Sequence, residues 1–326
     1  MLAKNNQIVF LCYEARSGST YLSSELSKYQ DIFVSIEDSI PFGLPLIEYF
    51  HYDKDKIYNI LINDKKFKAW NISDNYIKEI VYSDDSSSTI FEKIIKKNTK
   101  IKNLNSKIFI YKMPIKPILF HKCKNLYPDA KFIHLYRDPR AVYLSQLSNF
   151  KSNTKSSFTQ NPVEFSKVWL KNFNFYKRNF YKSKNKNFFE FSYEEFIINH
   201  NLTKNKILSF LSSSKDIMEN INYNDQIPIS QIHLHPNIGK KPLKENIDNW
   251  KHKLSIEQIF IIQDICNKIF IEKDYIKIKL NRLNYLNYKI LNYYFIYYLS
   301  IIIKILKLLG KPKGLILRLK MKFYKL

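Results

Sequence analysis

Glycine is scarce in this chain, with five in 326 residues. One of them, Gly18, sits in "EARSGSTYLSSEL", residues 14–26, but no lysine follows it. A GxxxxGK[ST] loop is therefore missing, and no acid ends a strand in the Walker-B manner. Magnesium-dependent NTP hydrolysis is disfavoured, and a nucleotide kinase with it. Cysteine is scarce too: Cys12, Cys123 and Cys266 are odd in number, far apart and without a CxxC. That pattern argues against a disulfide framework and for a reducing, cytoplasmic compartment. "HLH" at 233–235 has no cysteine or acid at ligand spacing, so no metal is expected. Long apolar runs are lacking as well. The run Ile8 to Tyr13 is too short for a signal peptide, and Glu14 and Arg16 close it. The run "ILNYYFIYYLSIII", 290–303, would span about 21 Å as a helix, short of a hydrocarbon core of about 30 Å.

Acids disappear after Asp274, while 12 of the 53 Lys and Arg residues follow it. Half of the net charge of +24 thus belongs to a C-terminal tail, 276–326. In residues 1–275 the basic residues are spread rather than clustered, and no RNA-module motif is present. A specific nucleic-acid partner is not expected, although a basic, non-catalytic nucleic-acid- or membrane-binding protein is the alternative reading. The tail reads as a basic amphipathic helix. Two arrangements stay open for it: on the anionic inner face of a membrane, or packed on the core or a second subunit.

What is present alternates between strand and helix patterns. Strands are expected at 8–13, 31–36, 107–112, 130–136 and 187–192, and helices at 19–29, after Pro114, after Arg137, over 161–180 and after Tyr193. This order predicts an α/β fold: a parallel sheet with helices on both faces. Residues 41–106 are irregular in pattern, with a loop at 83–89, and suit an acceptor-binding insertion. In parallel sheets, ligands gather at the carboxyl ends of the strands. Distinctive polar residues follow the strands here: 14–20, Glu37, Lys112 (read as the end of its strand) and Arg137.

A strand, a tight turn and a helix start form an anion site through free N–H groups and the helix dipole. Ser17, Ser19 and Thr20 add hydroxyls, and Arg16 adds a fixed charge. "FIHLYRDPRAVYLSQL" places Arg137 at a strand end and Ser145 on the next helix, where they could clamp a second phosphate. The chain resembles the sulfotransferases that use 3′-phosphoadenosine-5′-phosphosulfate (PAPS), and more closely their carbohydrate-type members. The resemblance spans roughly residues 7–275 and rests on "RSGST" and the Arg137–Ser145 segment, with support from "FEFSYEEF" at 189–196 and "IDNWKHKLSIEQIFIIQDIC" at 247–266. It implies a P-loop-like parallel sheet flanked by helices, the sulfotransferase fold, and that Arg16, Ser17, Gly18, Ser19 and Thr20 bind the 5′-phosphosulfate, and Arg137 and Ser145 the 3′-phosphate. It implies Glu37 as the base that deprotonates an acceptor hydroxyl, with Asp38 and Glu48 as rivals. The family more often has proline after this glutamate, where Asp38 stands here. Lys112 could face the sulfate or the acceptor, or be a snorkelling surface lysine. Tyr193 is a candidate for the adenine pocket or for the core, and Lys240 or Lys241 for a basic loop over the 3′-phosphate. PAPS as donor, no metal, and a carbohydrate or glycolipid acceptor complete the expectation.

Overall fold

The computed structural model describes residues 7–35, 53–64, 67–101, 106–114, 117–152, 158–181, 186–218 and 244–279, with 298, 301, 302 and 305. The expected parallel sheet is there. Its strands are β1 (Gln7–Tyr13), β2 (Ile32–Val34), β3 (Ile108–Pro114), β4 (Lys131–Tyr136) and β5 (Phe188–Ser192). They run in the order β2-β3-β1-β4-β5, and every pairing is parallel. Central β1 has Val9 opposite both Ile110 of β3 and Lys131 of β4. Val9 to Cys12 have no exposed surface, which explains the continuous apolar run. From β1 the chain goes to β2 and β3 on one side, then crosses to β4 and β5 on the other. The loop after β1 therefore lies where the strand order switches, the place such sheets hold ligands.

The helices in chain order are α1 (Ser19–Leu26), α2 (Lys54–Asn63), α3 (Asp74–Tyr82), α4 (Ser87–Ile101), α5 (Pro117–Leu126), α6 (Pro139–Ser152), α7 (Pro162–Tyr181), α8 (Tyr193–Ile198) and α9 (His200–Leu211). Four short ones follow: α10 (Glu245–Asp248), α11 (Trp250–Lys253), α12 (Ile256–Ile265) and α13 (Asn267–Glu272). The chain packs as two compact units. One comprises Met1–Arg137 with Asn172–Asn246 and contains the whole sheet; the other comprises Asp138–Lys171 with Ile247–Leu326.

The stretch 41–106 differs from its irregular reading. Its described part is helical: α2, a 3-10 turn at Phe67–Trp70, α3 and α4. Each α-helix starts from a polar cap, with Asp53 accepting from Lys56 N at 3.0 Å, Ser73 from Tyr76 N at 3.4 Å and Ser86 from Thr89 N at 3.3 Å. Their apolar positions recur at helical spacing. Ile57 and Leu61, Ile77, Ile80 and Val81, and Ile90, Phe91, Ile94 and Ile95 are all buried in one core cluster with Phe10, Phe109 and Tyr111 of the sheet. Phe91 meets Tyr111 edge-on at 5.3 Å. β2 is shorter than the span 31–36. Asp31 serves instead as an acceptor, taking the Ser213 hydroxyl at 2.8 Å and Ser214 N at 2.7 Å.

Candidate active site

At the end of β1 the chain turns at once, and Ser17 N donates to Glu14 O at 3.1 Å. The turn needs two left-handed residues, Arg16 (φ 76) and Gly18 (φ 93). Gly18 is the N-cap of α1, with no side chain to satisfy the first N–H groups, and the first turn carries no acid. Glycine is required there twice over: its φ disfavours L side chains, and any Cβ would collide with the Tyr193 ring. Ser17, Ser19 and Thr20 are buried at this corner. Ser17 Oγ has no hydrogen-bond partner among the described residues. The loop thus presents donors and the positive end of a helix.

Arg137, the first residue after β4, reaches this loop. Its Nη1 donates to Arg16 O at 3.3 Å and its Nη2 to Asn246 O at 3.4 Å. Its Cζ lies 4.4 Å from the Tyr193 ring centroid. Its Nε is buried and has no partner among the described residues. Tyr193 opens α8, which Ser192 caps by accepting from Glu195 N at 3.0 Å. Burial pushes the Tyr193 hydroxyl above its ordinary pKa, and the nearby Arg137 charge pulls part of that back.

The structure therefore brings together Arg16, Ser17, Gly18, Ser19, Thr20, Arg137 and Tyr193. Ser145 stands on α6 in the second unit, half-buried. Lys112 corrects the reading that it ends a strand. β3 continues to Pro114, so Lys112 lies inside it, opposite Leu11. It is 2% exposed, with Nζ 5.8 Å from the Tyr13 ring centroid; it is no snorkelling surface lysine. Glu37, Asp38, Glu48, Lys240, Lys241 and the 233–235 "HLH" lie outside the described residues, as does nearly all of the tail.

Sequence reasoning passed over Glu14, treating it only as the charge that closes an apolar run. Its Oε2 accepts from Asn172 Nδ2 of α7 at 2.9 Å. Burial nevertheless raises its pKa above the ordinary 4.5, against the lowering by Asn172 and by the Ala15 N–H. A raised carboxyl pKa means the folded state prefers the protonated form. The resulting penalty is absent below the unfolded value, grows as pH rises through the folded one, and is then constant. Glu14→Gln is therefore expected to raise the Tm by a few degrees at pH 8 and to leave it unchanged at pH 4. Equal Tm values for mutant and wild type at both pH values would show a solvated carboxylate.

A profile of the sulfotransferase family matches residues 9–216. No curated protein matches the chain. Among solved structures, it is similar to the sulfotransferase domain from the curacin biosynthetic pathway, at 15% identity and a TM-score of 0.52, covering 81% of this chain and 97% of that one. It is similar also to the sulfotransferase domain of a Synechococcus olefin synthase, at 14% identity and a TM-score of 0.52, covering 82% and 98%. Mouse sulfotransferase SULT7A1 complexed with PAP matches at 13% identity and a TM-score of 0.44, covering 83% and 89%.

Proposed function

Since the chain belongs to the sulfotransferase family, we propose that it moves the sulfuryl group of PAPS to a hydroxyl of a carbohydrate or glycolipid. One observation carries this: the loop 16–20 and Arg137 converge, and each brings a buried donor, Ser17 Oγ and Arg137 Nε, that no described residue satisfies. An unsatisfied buried donor costs about 1–3 kcal/mol. An anion held between the loop and Arg137 would remove that cost at both atoms. The donor set, two arginines, three hydroxyls and an uncapped helix start, fits the phosphate groups of such a nucleotide.

When bound, PAPS supplies a sulfuryl group on a good leaving group. The chain's own residues do the rest. Ser17, Gly18, Ser19 and Thr20 hold the 5′ end through hydroxyls and backbone N–H groups. Arg137 holds the 3′-phosphate, joined by Lys240. Arg16 and the loop N–H groups stabilise negative charge developing at the loop. Glu37 takes the proton from the acceptor hydroxyl, and Lys112 supplies a further cation from β3. The carbohydrate or glycolipid acceptor rests on the resemblance to the carbohydrate-type members, and its contacts come from 41–106. The basic tail suits an anionic membrane face, where a lipid-linked acceptor would be met. Among the described residues no helix is long and apolar enough to cross a membrane.

The test is thermal unfolding with adenosine 3′,5′-bisphosphate, the nucleotide product. A ligand at 100 times its Kd stabilises the fold by about 2.7 kcal/mol. Wild type should gain a clear Tm shift, and Arg137→Ala should lose it. No shift in the folded wild type would sink the donor assignment.

A further inference from the structure

We infer that Tyr193 is a positioning residue: its ring fixes the Arg137 guanidinium against the Gly18 loop, instead of serving as a platform for the adenine base. The inference rests on the donor site proposed above. Three contacts argue for it. The guanidinium lies over the ring at 4.4 Å, so that face is already covered by a cation. The Cδ2–Cε2 edge of the ring is pressed against Gly18 too closely for any Cβ to fit between. The arginine fork, held over the ring, spans two backbone carbonyls, Arg16 O and Asn246 O.

The ring is itself well anchored. Ser192 caps the helix that Tyr193 begins, and Phe196, three residues on, is fully buried against Phe191 at 5.8 Å between centroids. Tyr193 therefore has little freedom to swing out and receive a base. A base stacking on the covered face would have to displace the guanidinium from a half-buried, partly desolvated seat. Arginine is a long side chain with several rotamers to freeze. The ring freezes it once, in the folded protein, so that binding does not have to. The loop after β1 and the residue after β4 then act as one preformed phosphate clamp, with Tyr193 between them. In this role the ring matters to the phosphates and is indifferent to the base.

That difference can be measured. Affinities would be determined calorimetrically for adenosine 3′,5′-bisphosphate and for its base-free counterpart, methyl riboside 3,5-bisphosphate. The proteins would be wild type, Tyr193→Phe, Tyr193→Leu, Arg137→Met and the Tyr193→Leu/Arg137→Met double variant. Tyr193→Phe keeps the ring and should bind both ligands as wild type does. Tyr193→Leu should lose about tenfold for both ligands alike, the scale of a desolvated cation–π contact. In the Arg137→Met background the same leucine change should have almost no further effect, because the group it positions has gone. A loss confined to the adenosine ligand would overturn the inference and make Tyr193 a base platform. So would a loss of equal size with and without Arg137. Should Tyr193→Leu not fold, Tyr193→His carries the same two comparisons with a smaller ring. A folded wild type that binds neither bisphosphate would instead remove the donor site, and with it the clamp.

Discussion

Gly18→Ala is expected to abolish the Tm shift given by adenosine 3′,5′-bisphosphate and to lower sulfuryl transfer by about a hundredfold or more. Two penalties act on one atom. The backbone at Gly18 has φ 93 and ψ 13, a left-handed conformation that disfavours an L residue by roughly 1–2 kcal/mol. The added methyl also runs into the Tyr193 ring, which cannot retreat without disturbing Arg137 above it. The loop must therefore move, and with it the N–H groups at the start of α1. Displacements near 1 Å suffice for losses of about 10² in a site that works by placement. Overall stability should fall much less than binding, because Gly18 lies in the turn between β1 and α1, outside the paired strands. The measurement is paired: Tm without ligand, and the ligand-induced shift. A Gly18→Ala protein that still binds the bisphosphate like wild type would show that this loop does not hold a phosphate.

Much of this corner is legible in the sequence. Six apolar residues bounded by Glu14 mark β1, and the only glycine near them has to sit in the turn. Arg137 is legible for the same reason, since it is the residue that follows the buried strand expected at 130–136 and so stands at the carboxyl edge. Lys112 was misplaced because an ammonium looks like a boundary. In β3 the backbone hydrogen bonds run past it to Pro114, and the pleat sends it inward with Leu11 as its neighbour. The helices between Asp53 and Ile101 were hidden for another reason. Their caps and apolar spacing are present, but isoleucine, lysine and asparagine are abundant along the whole chain, so the periodicity stands out little from the background. The clamp formed by Arg137, Tyr193 and the Asn246 carbonyl is not legible at all. Its parts are separated by 56 positions from Arg137 to Tyr193 and 109 from Arg137 to Asn246, and one of them is a backbone oxygen.

The second large effect is expected at Arg140, in the other unit. Arg140→Met should destabilise the protein by about 3–5 kcal/mol, the range for stranding one member of a buried ion pair. Arg140 is 1% exposed and Asp138 is 4% exposed. The guanidinium grips Asp138 in a fork, with Nε to Oδ1 at 3.0 Å and Nη2 to Oδ2 at 2.6 Å. Its Nη1 donates to Gln263 Oε1 and to Ile276 O, each at 2.8 Å. Its Cζ lies 3.6 Å from the Trp250 ring centroid and 4.5 Å from that of Phe270. One side chain thus ties the start of α6 to α11, α12, α13 and the chain after them. Methionine would fill the space but leave the Asp138 carboxylate buried without its cation. Arg140→Lys should fail nearly as badly, because an ammonium cannot reproduce the fork or lie flat between two rings. The second-site change Asp138→Asn is the decisive control. It removes the stranded charge while keeping an oxygen that can accept from Arg140 N, a bond of 2.8 Å in the native protein. The double variant Arg140→Met/Asp138→Asn should therefore regain much of the loss in denaturant unfolding. If Arg140→Met alone costs less than about 1 kcal/mol, as an exposed pair would, the charge is solvated and the staple is not what holds this unit together.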